Sequence, residues 1–292
     1  MKTKYLFMAL RPTQWVKNLF IFLPLVFGGR LFFYPSNLKT LFAFILFSIA
    51  ASAVYLINDV MDLDKDKHHP IKRLRPLPSG KITTREAYMT ALILGCLSIM
   101  FSFILDMNLA LIIILYLIFN FVYTKALKEA VILDVFCLGG FFLLRIAAGT
   151  SVANVDFSYW MIFMTVLLAL FLGFNKRRQE LRALGAKAPL HSSVLSKYNS
   201  YFIDQMIAVI TSSIVVVYML YTVSERTVAE FGSRHLIYSI PFVYYGIFRY
   251  LYILHKEGNS GDPTRILLKD GKMLLNLALW LIVCISVIYF HL

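Results

Sequence analysis

The chain has 292 residues, of which 59% are hydrophobic, 15% aromatic and only 15% charged, with a formal net charge of +13. A soluble domain carries about 25% charged residues, so this chain cannot clothe its surface in polar groups, and lipid must be its solvent. That excludes a soluble enzyme and leaves nucleic acid no soluble domain to bind, while the positive excess points to anionic headgroups or anionic substrates.

A membrane-spanning helix needs about 20 mostly apolar residues. Nine stretches qualify in chain order: 18–34, 38–58, 84–105, 108–124, 131–149, 157–175, 201–224, 236–254 and 272–291. The first is the least regular, with Pro24 and the pair Gly28–Gly29. Ahead of it, Arg11, Pro12, Gln14 and Lys17 interrupt any apolar core, so no cleaved signal peptide is expected. Cys96, Cys137 and Cys284 lie in apolar runs without paired or metal-type spacing and read as small buried hydrophobes. With the N-terminus in the cytoplasm, the inside segments hold 23 Lys and Arg residues and the outside loops 4. This asymmetry predicts an N-in, C-out protein. The fold expected is an all-α integral membrane domain over residues 1–292, nine helices around a central cavity with a cytosolic polar cap.

The second span ends in "NDVMDLDKDKHHPIKRLRPLPSG", residues 58–80. At about 100° per residue, Asn58, Asp62, Asp66 and Asp59 fall at about 0°, 40°, 80° and 100°, while Asp64 points away at about 240°. Carboxylates that close repel one another unless a cation lies between them. An all-oxygen set favours Mg²⁺, which binds through one or two carboxylates plus substrate phosphates. Asn58, Asp62 and Asp66 are therefore the candidate metal ligands, with Asp59 beside them. His68 and His69, past the cluster, read as a solvated loop. Lys72, Arg73 and Arg75 follow within ten residues of Asp66, on a path stiffened by Pro70, Pro76 and Pro78. Acid for a metal beside base for phosphate oxygens is what a magnesium diphosphate requires.

Further cytoplasmic segments add polar groups. Arg11 and Lys17 before the first span read as ordinary inside-positive residues, and Trp15 as an interfacial anchor. "YTKALKEAVILD" offers Tyr123, Lys125 and Lys128 on the side of the aspartates. Asp134 falls just inside the next apolar run, where a carboxylate needs a partner or a role. Arg145 lies eleven residues on, too far along the helix to pair with it, and reads equally as structural or substrate-facing. "GFNKRRQEL" brings Lys176, Arg177 and Glu180, while Arg178 and Arg182 read as a snorkelling helix end. "DPTRILLKD" places a helix start at Asp262–Thr264, with Arg265 and Lys269 as weaker phosphate candidates.

The acidic stretch resembles the first aspartate-rich motif of the UbiA superfamily of intramembrane transferases. "RPTQWVKNLFIFLPL", "YTKALKEAVILDVFCLGGFFLLRIAAG", "GFNKRRQEL" and "DPTRILLKD" resemble the members that move a phosphoribosyl group onto a polyprenyl phosphate. The resemblance implies Mg²⁺ as cofactor, phosphoribosyl diphosphate as donor, a polyprenyl phosphate lipid as acceptor, and Lys17 as a phosphate ligand. It also exposes a departure. Members that prenylate aromatic rings carry a second aspartate-rich motif where this chain has Lys176–Glu180. Extra cations suit a donor with an additional phosphate. Two alternatives stand beside this reading. One is prenyl transfer from a prenyl diphosphate to an aromatic or other small acceptor. The other is an anionic-solute transporter, against which the acidic motif has no second copy in the other half.

Overall fold

The computed structural model describes residues 2–68, 71–184, 194–257 and 269–290. His69, Pro70, Asp262–Thr264 and Arg265 therefore lie outside the described residues. Every regular element among those described is helical: α1 (Lys2–Ala9), a 3₁₀ segment (Pro12–Phe22), α2 (Leu23–Phe27), α3 (Ser36–Met61), α4 (Leu63–His68), α5 (Thr84–Leu105), α6 (Met107–Lys125), α7 (Leu133–Ala153), α8 (Tyr159–Leu184), α9 (Ser200–Val223), α10 (Glu225–Phe231), α11 (Ile240–Glu257) and α12 (Gly271–Phe290), with shorter 3₁₀ turns between them.

Eight of these helical stretches are long and apolar enough to cross a bilayer, and they match the second to ninth expected spans. The protein is thus an integral membrane protein. The first expected span, 18–34, is different. It forms the 3₁₀ segment and the five-residue α2, ending at Gly28. Pro24 lacks an amide hydrogen to donate, and Gly29 has φ 68°, so a continuous α-helix does not run through the stretch. Elsewhere the ends are set by local chemistry. Thr83 and Glu86 close a capping box on α5, Asp106 caps α6 at Leu109 N, and Asn199 caps α9. Asp270 accepts from Met273 N at the start of α12 and from Arg249 at 2.7 Å, and the Arg249 bond holds its carboxyl below the usual range.

The chain forms two compact units: Met1–Lys128 with Leu144–Asp156, and Glu129–Leu143 with Phe157–Leu292. In the first unit α3 is the central element, packed on α5, α6 and the 3₁₀ segment. Its buried face is rich in small residues, among them Ala43, Ser48, Ala50, Ala51, Ser52 and Ala53, which lets neighbouring backbones approach. Trp15 donates its Nε1–H to Ser52 Oγ (3.0 Å) and Asn18 its Nδ2–H to Ser48 Oγ (2.9 Å), so Trp15 works as a docking residue on α3. A Cβ at Gly149 would collide with the carbonyl oxygen of Ile21. Gly149→Ala is therefore expected to destabilise the protein by about 1–3 kcal/mol, read as a lower melting temperature in detergent. Gly95→Ala, where nothing lies within 4 Å of the new methyl, is the matched control and should not lower it. In the second unit α8 packs on α9 and α11 on α12, around a core that includes Phe171, Phe174, Ile203, Ile210, Ile214 and Tyr250.

Candidate active site

The acidic stretch is not one continuous helix. α3 ends at Met61, Asp62 caps it with φ −99° and ψ 10°, and α4 restarts at Leu63. The reason is electrostatic. Carboxylates in the last turn of a helix oppose its negative pole, and carboxylates in a first turn meet a positive one. The break moves Asp64 and Asp66 into the first turn of α4. Asp64 points outward as the wheel predicts, its side chain 95% exposed beside Lys67. Asp59 and Asp66 are buried, at 3% and 2% exposure.

These two carboxylates are joined by basic side chains. Arg75 Nη1 donates to Asp59 Oδ1 (3.1 Å) and to Asp66 Oδ2 (2.7 Å). Lys72 Nζ lies 3.6 Å from Asp66 Oδ1. Arg11 donates to Asp59 and lies over the Tyr55 ring, 5.0 Å from its centroid. Burial pulls the Arg11 guanidinium below its ordinary pKa, and Asp59 pulls it back up. The backbone at Arg11 is left-handed, with φ 54° and ψ 60°. Such strain in a non-glycine residue persists only where its surroundings enforce it, here through the carboxylate and the ring. Asp62, a few residues along, accepts from Lys128 Nζ at 2.7 Å. Asn58 Oδ1 accepts from Thr124 Oγ1 at 2.8 Å. The first unit thus gathers Asn58, Asp59, Asp62 and Asp66 with Arg11, Lys72, Arg75, Lys128 and Thr124. Arg73 is exposed, and Lys125 lies over the Phe121 ring at 4.5 Å. Tyr123 closes the same helix, α6, and Lys17 lies on the 3₁₀ segment.

Arg145 is structural in its contacts. It is 4% exposed, donates Nε–H to Asn18 Oδ1 (2.8 Å), and lies 5.2 and 5.3 Å from the Phe47 and Tyr116 ring centroids. Asp134 belongs to the second unit and has partners there. Asp134 is fully buried. It accepts from Arg177 Nε (2.7 Å) and from the Tyr198 hydroxyl (2.7 Å). Arg177 also donates to Glu180 Oε2 (2.6 Å), and Lys176 Nζ lies 3.9 Å from Glu180 Oε1. Burial and the Asp134 hydrogen bond push the Tyr198 phenol well above its ordinary pKa, so it stays a neutral donor. The same oxygen accepts from Ile132 N (2.8 Å), holding a β-branched residue at φ 72°, a conformation such residues seldom adopt.

Among the described residues no group of three His, Cys, Asp or Glu side chains is arranged to hold a metal ion. The donors at the end of α3 nonetheless fit magnesium by their chemistry. An amide oxygen and carboxylates without sulfur suit a hard ion that needs one or two carboxylates and takes its remaining oxygens from water and phosphate.

Residues 19–278 match the model of the UbiA prenyltransferase family. The chain belongs to this family. Among UbiA relatives, the decaprenyl-phosphate phosphoribosyltransferase of Mycobacterium tuberculosis is 31% identical over 277 residues, covering 94% of this chain and 90% of that one. The enzyme of the same name from Corynebacterium glutamicum is 32% identical over 289 residues, covering 95% and 84%. A UbiA homolog from Archaeoglobus fulgidus, solved bound to DMAPP and Mg²⁺, superposes with a TM-score of 0.70 at 19% identity over 98% of this chain and 99% of that one. The UbiA fold therefore extends over the whole chain.

Three residues of these clusters escape a reading of the sequence. Arg11 looks like any inside-positive residue, since its partner Asp59 is 48 positions away. Thr124, 66 positions from Asn58, and Tyr198, 64 from Asp134, carry no charge to draw notice.

Proposed function

We propose that the protein transfers a 5-phosphoribosyl group from phosphoribosyl diphosphate to a polyprenyl phosphate, releasing diphosphate. The observation that carries this reading is the similarity, over 94% of the chain, to a decaprenyl-phosphate phosphoribosyltransferase. The chemistry of the first unit supports it. Three carboxylates and an amide stand among Arg11, Lys72, Arg75 and Lys128, as a metal-bound diphosphate requires.

Asn58, Asp62 and Asp66 would hold Mg²⁺, which when bound supplies charge neutralisation to the departing diphosphate. Lys72, Arg75 and Lys128 donate to diphosphate oxygens and favour cleavage of the C1–O bond. Arg75 is suited to this, because Nε and Nη2 have no partner among the described residues while Nη1 is fixed on two carboxylates. Asp59 positions Arg11 and Arg75 and need not ligate the metal. As the C1–O bond to diphosphate breaks, C1 gains cationic character, and an oxygen of the polyprenyl phosphate forms the new C1–O bond. That oxygen is already anionic, so no strong general base is required. The isoprenoid tail is why the reaction sits in a membrane, each buried methylene contributing about 0.8 kcal/mol. The reading also places the N-terminus and the acidic stretch on the cytoplasmic side, from the 23-to-4 distribution of basic residues.

The test is donor choice. Purified protein in detergent is given a polyprenyl phosphate with labelled phosphoribosyl diphosphate, or an aromatic acceptor with a labelled prenyl diphosphate. Label entering the lipid phase only from the phosphoribosyl donor supports the proposal. Prenylated product without phosphoribosyl-lipid overturns it.

A further inference from the structure

In the second unit a cleft of about 470 Å³ opens between α9 and α11, with α8 contributing Asn175 and Arg178 to its lining. Each of the three helices brings one of its ends to it. Arg178 lies near the C-terminus of α8, Asp204 near the N-terminus of α9 and His255 near the C-terminus of α11. The rim is charged. Arg178 donates through Nε and Nη2 to the two oxygens of Asp204, leaving Nη1 without a partner among the described residues. His255 Nδ1 bonds the Leu251 carbonyl oxygen at 2.8 Å, which leaves Nε2 available. Thr211, seven residues past Asp204, lies about 10 Å further in, and Leu251 and Leu254 supply apolar wall.

Two polar atoms in this lining have no hydrogen-bond partner among the described residues: Asn175 Oδ1 and Thr211 Oγ1. Asn175 is 1% exposed, and its Nδ2 is spent on the Phe171 carbonyl oxygen at 2.7 Å. A buried acceptor left unmatched is destabilising, and within a membrane-spanning helix water is scarce. The site therefore presents an Arg178–Asp204 ion pair whose remaining Nη1 can donate to an anion, and acceptors for a hydrogen-bond donor, in a cleft that opens between two membrane-spanning helices. Its volume is that of a small-ligand site.

We propose that this cleft binds the headgroup of a glycerophospholipid that carries both a phosphate and N–H or O–H donors, as ethanolamine and glycerol headgroups do and choline does not. The phosphate meets Arg178 Nη1, the headgroup donors meet Asn175 Oδ1, Thr211 Oγ1 and His255 Nε2, and the acyl chains leave across Leu251 into the bilayer. This site does not depend on the reaction proposed above.

Native mass spectrometry of the full chain in mild detergent tests it. Phosphatidylethanolamine, phosphatidylglycerol and phosphatidylcholine of identical acyl chains are titrated separately, alongside soluble phosphoethanolamine. Wild type should retain one ethanolamine or glycerol lipid at least tenfold more tightly than the choline lipid. Thr211→Val and Asn175→Leu, which keep side-chain volume, should reduce that preference, and together bring it within twofold. Thr211 is partly exposed, so its variant reads the site even where Asn175→Leu folds poorly. Equal retention of the choline lipid by wild type, unchanged preference in Thr211→Val, or saturation by soluble phosphoethanolamine at the same concentration as the lipid would overturn the proposal.

Discussion

Asp62→Asn is expected to lower phosphoribosyl transfer by roughly 100-fold or more, the scale of removing one preorganised group from a charged transition state. Asp62 is the least buried of the three clustered carboxylates, 31% exposed at its side chain, with Lys128 at 2.7 Å. Asparagine keeps the volume and one acceptor oxygen but loses the charge that holds Lys128 and that the proposed mechanism assigns to a divalent ion. The fold should survive, because the residue caps α3 through its backbone, Asp62 N donating to Asn58 O at 2.9 Å. The melting temperature should therefore stay near wild type, while the Mg²⁺ concentration for half-maximal rate rises. Asp64→Asn, at a side chain 95% exposed, is the control and should retain nearly full activity. Equal losses in both variants would remove the case for a metal ligand at Asp62.

Asp134→Ala is expected to act on stability. The carboxylate is fully buried and accepts from both Arg177 and Tyr198. Removing one partner of a buried ion pair costs about 3–5 kcal/mol, because the remaining charge is left uncompensated. The lower end applies here, since Arg177 keeps Glu180 at 2.6 Å. Tyr198→Phe should cost less, about 1.5–3 kcal/mol, as it removes one hydrogen bond to the carboxylate and one from Ile132 N while the Arg177–Asp134 pair stays in place. The two should not add, since both take away the same Tyr198–Asp134 contact. Thermal unfolding in detergent of the two single variants and the double variant measures this. An Asp134→Ala protein that melts with wild type would show that Arg177 finds equivalent company without it.

Much of this architecture is legible in the sequence. Eight spans could be read because a bilayer demands long apolar runs, and α3 to α12 supply them. The 18–34 stretch has the hydropathy of a span, but Pro24 and Gly29 divide it into a 3₁₀ segment and a short helix. Asp64 facing outward and Asp66 facing inward were both legible from angular spacing. The break at Asp62 was not, since a helical wheel assumes continuity and takes no account of where the dipole ends. Long-range pairs were the least legible. Arg11 with Asp59, Lys128 with Asp62 and Arg177 with Asp134 join residues 43 to 66 positions apart, and only the fold selects among the available cations. The resemblance supplied the donor's class, which no pattern of charge and hydropathy specifies.

The most direct test of the central claim is metal dependence of the transfer itself. Purified protein is stripped of divalent ions with a chelator, then given labelled phosphoribosyl diphosphate and polyprenyl phosphate with and without added Mg²⁺. Label should pass into the lipid phase only when Mg²⁺ is restored. Phosphoribosyl-lipid formed at an undiminished rate in the stripped sample would contradict a metal role for Asn58, Asp62 and Asp66.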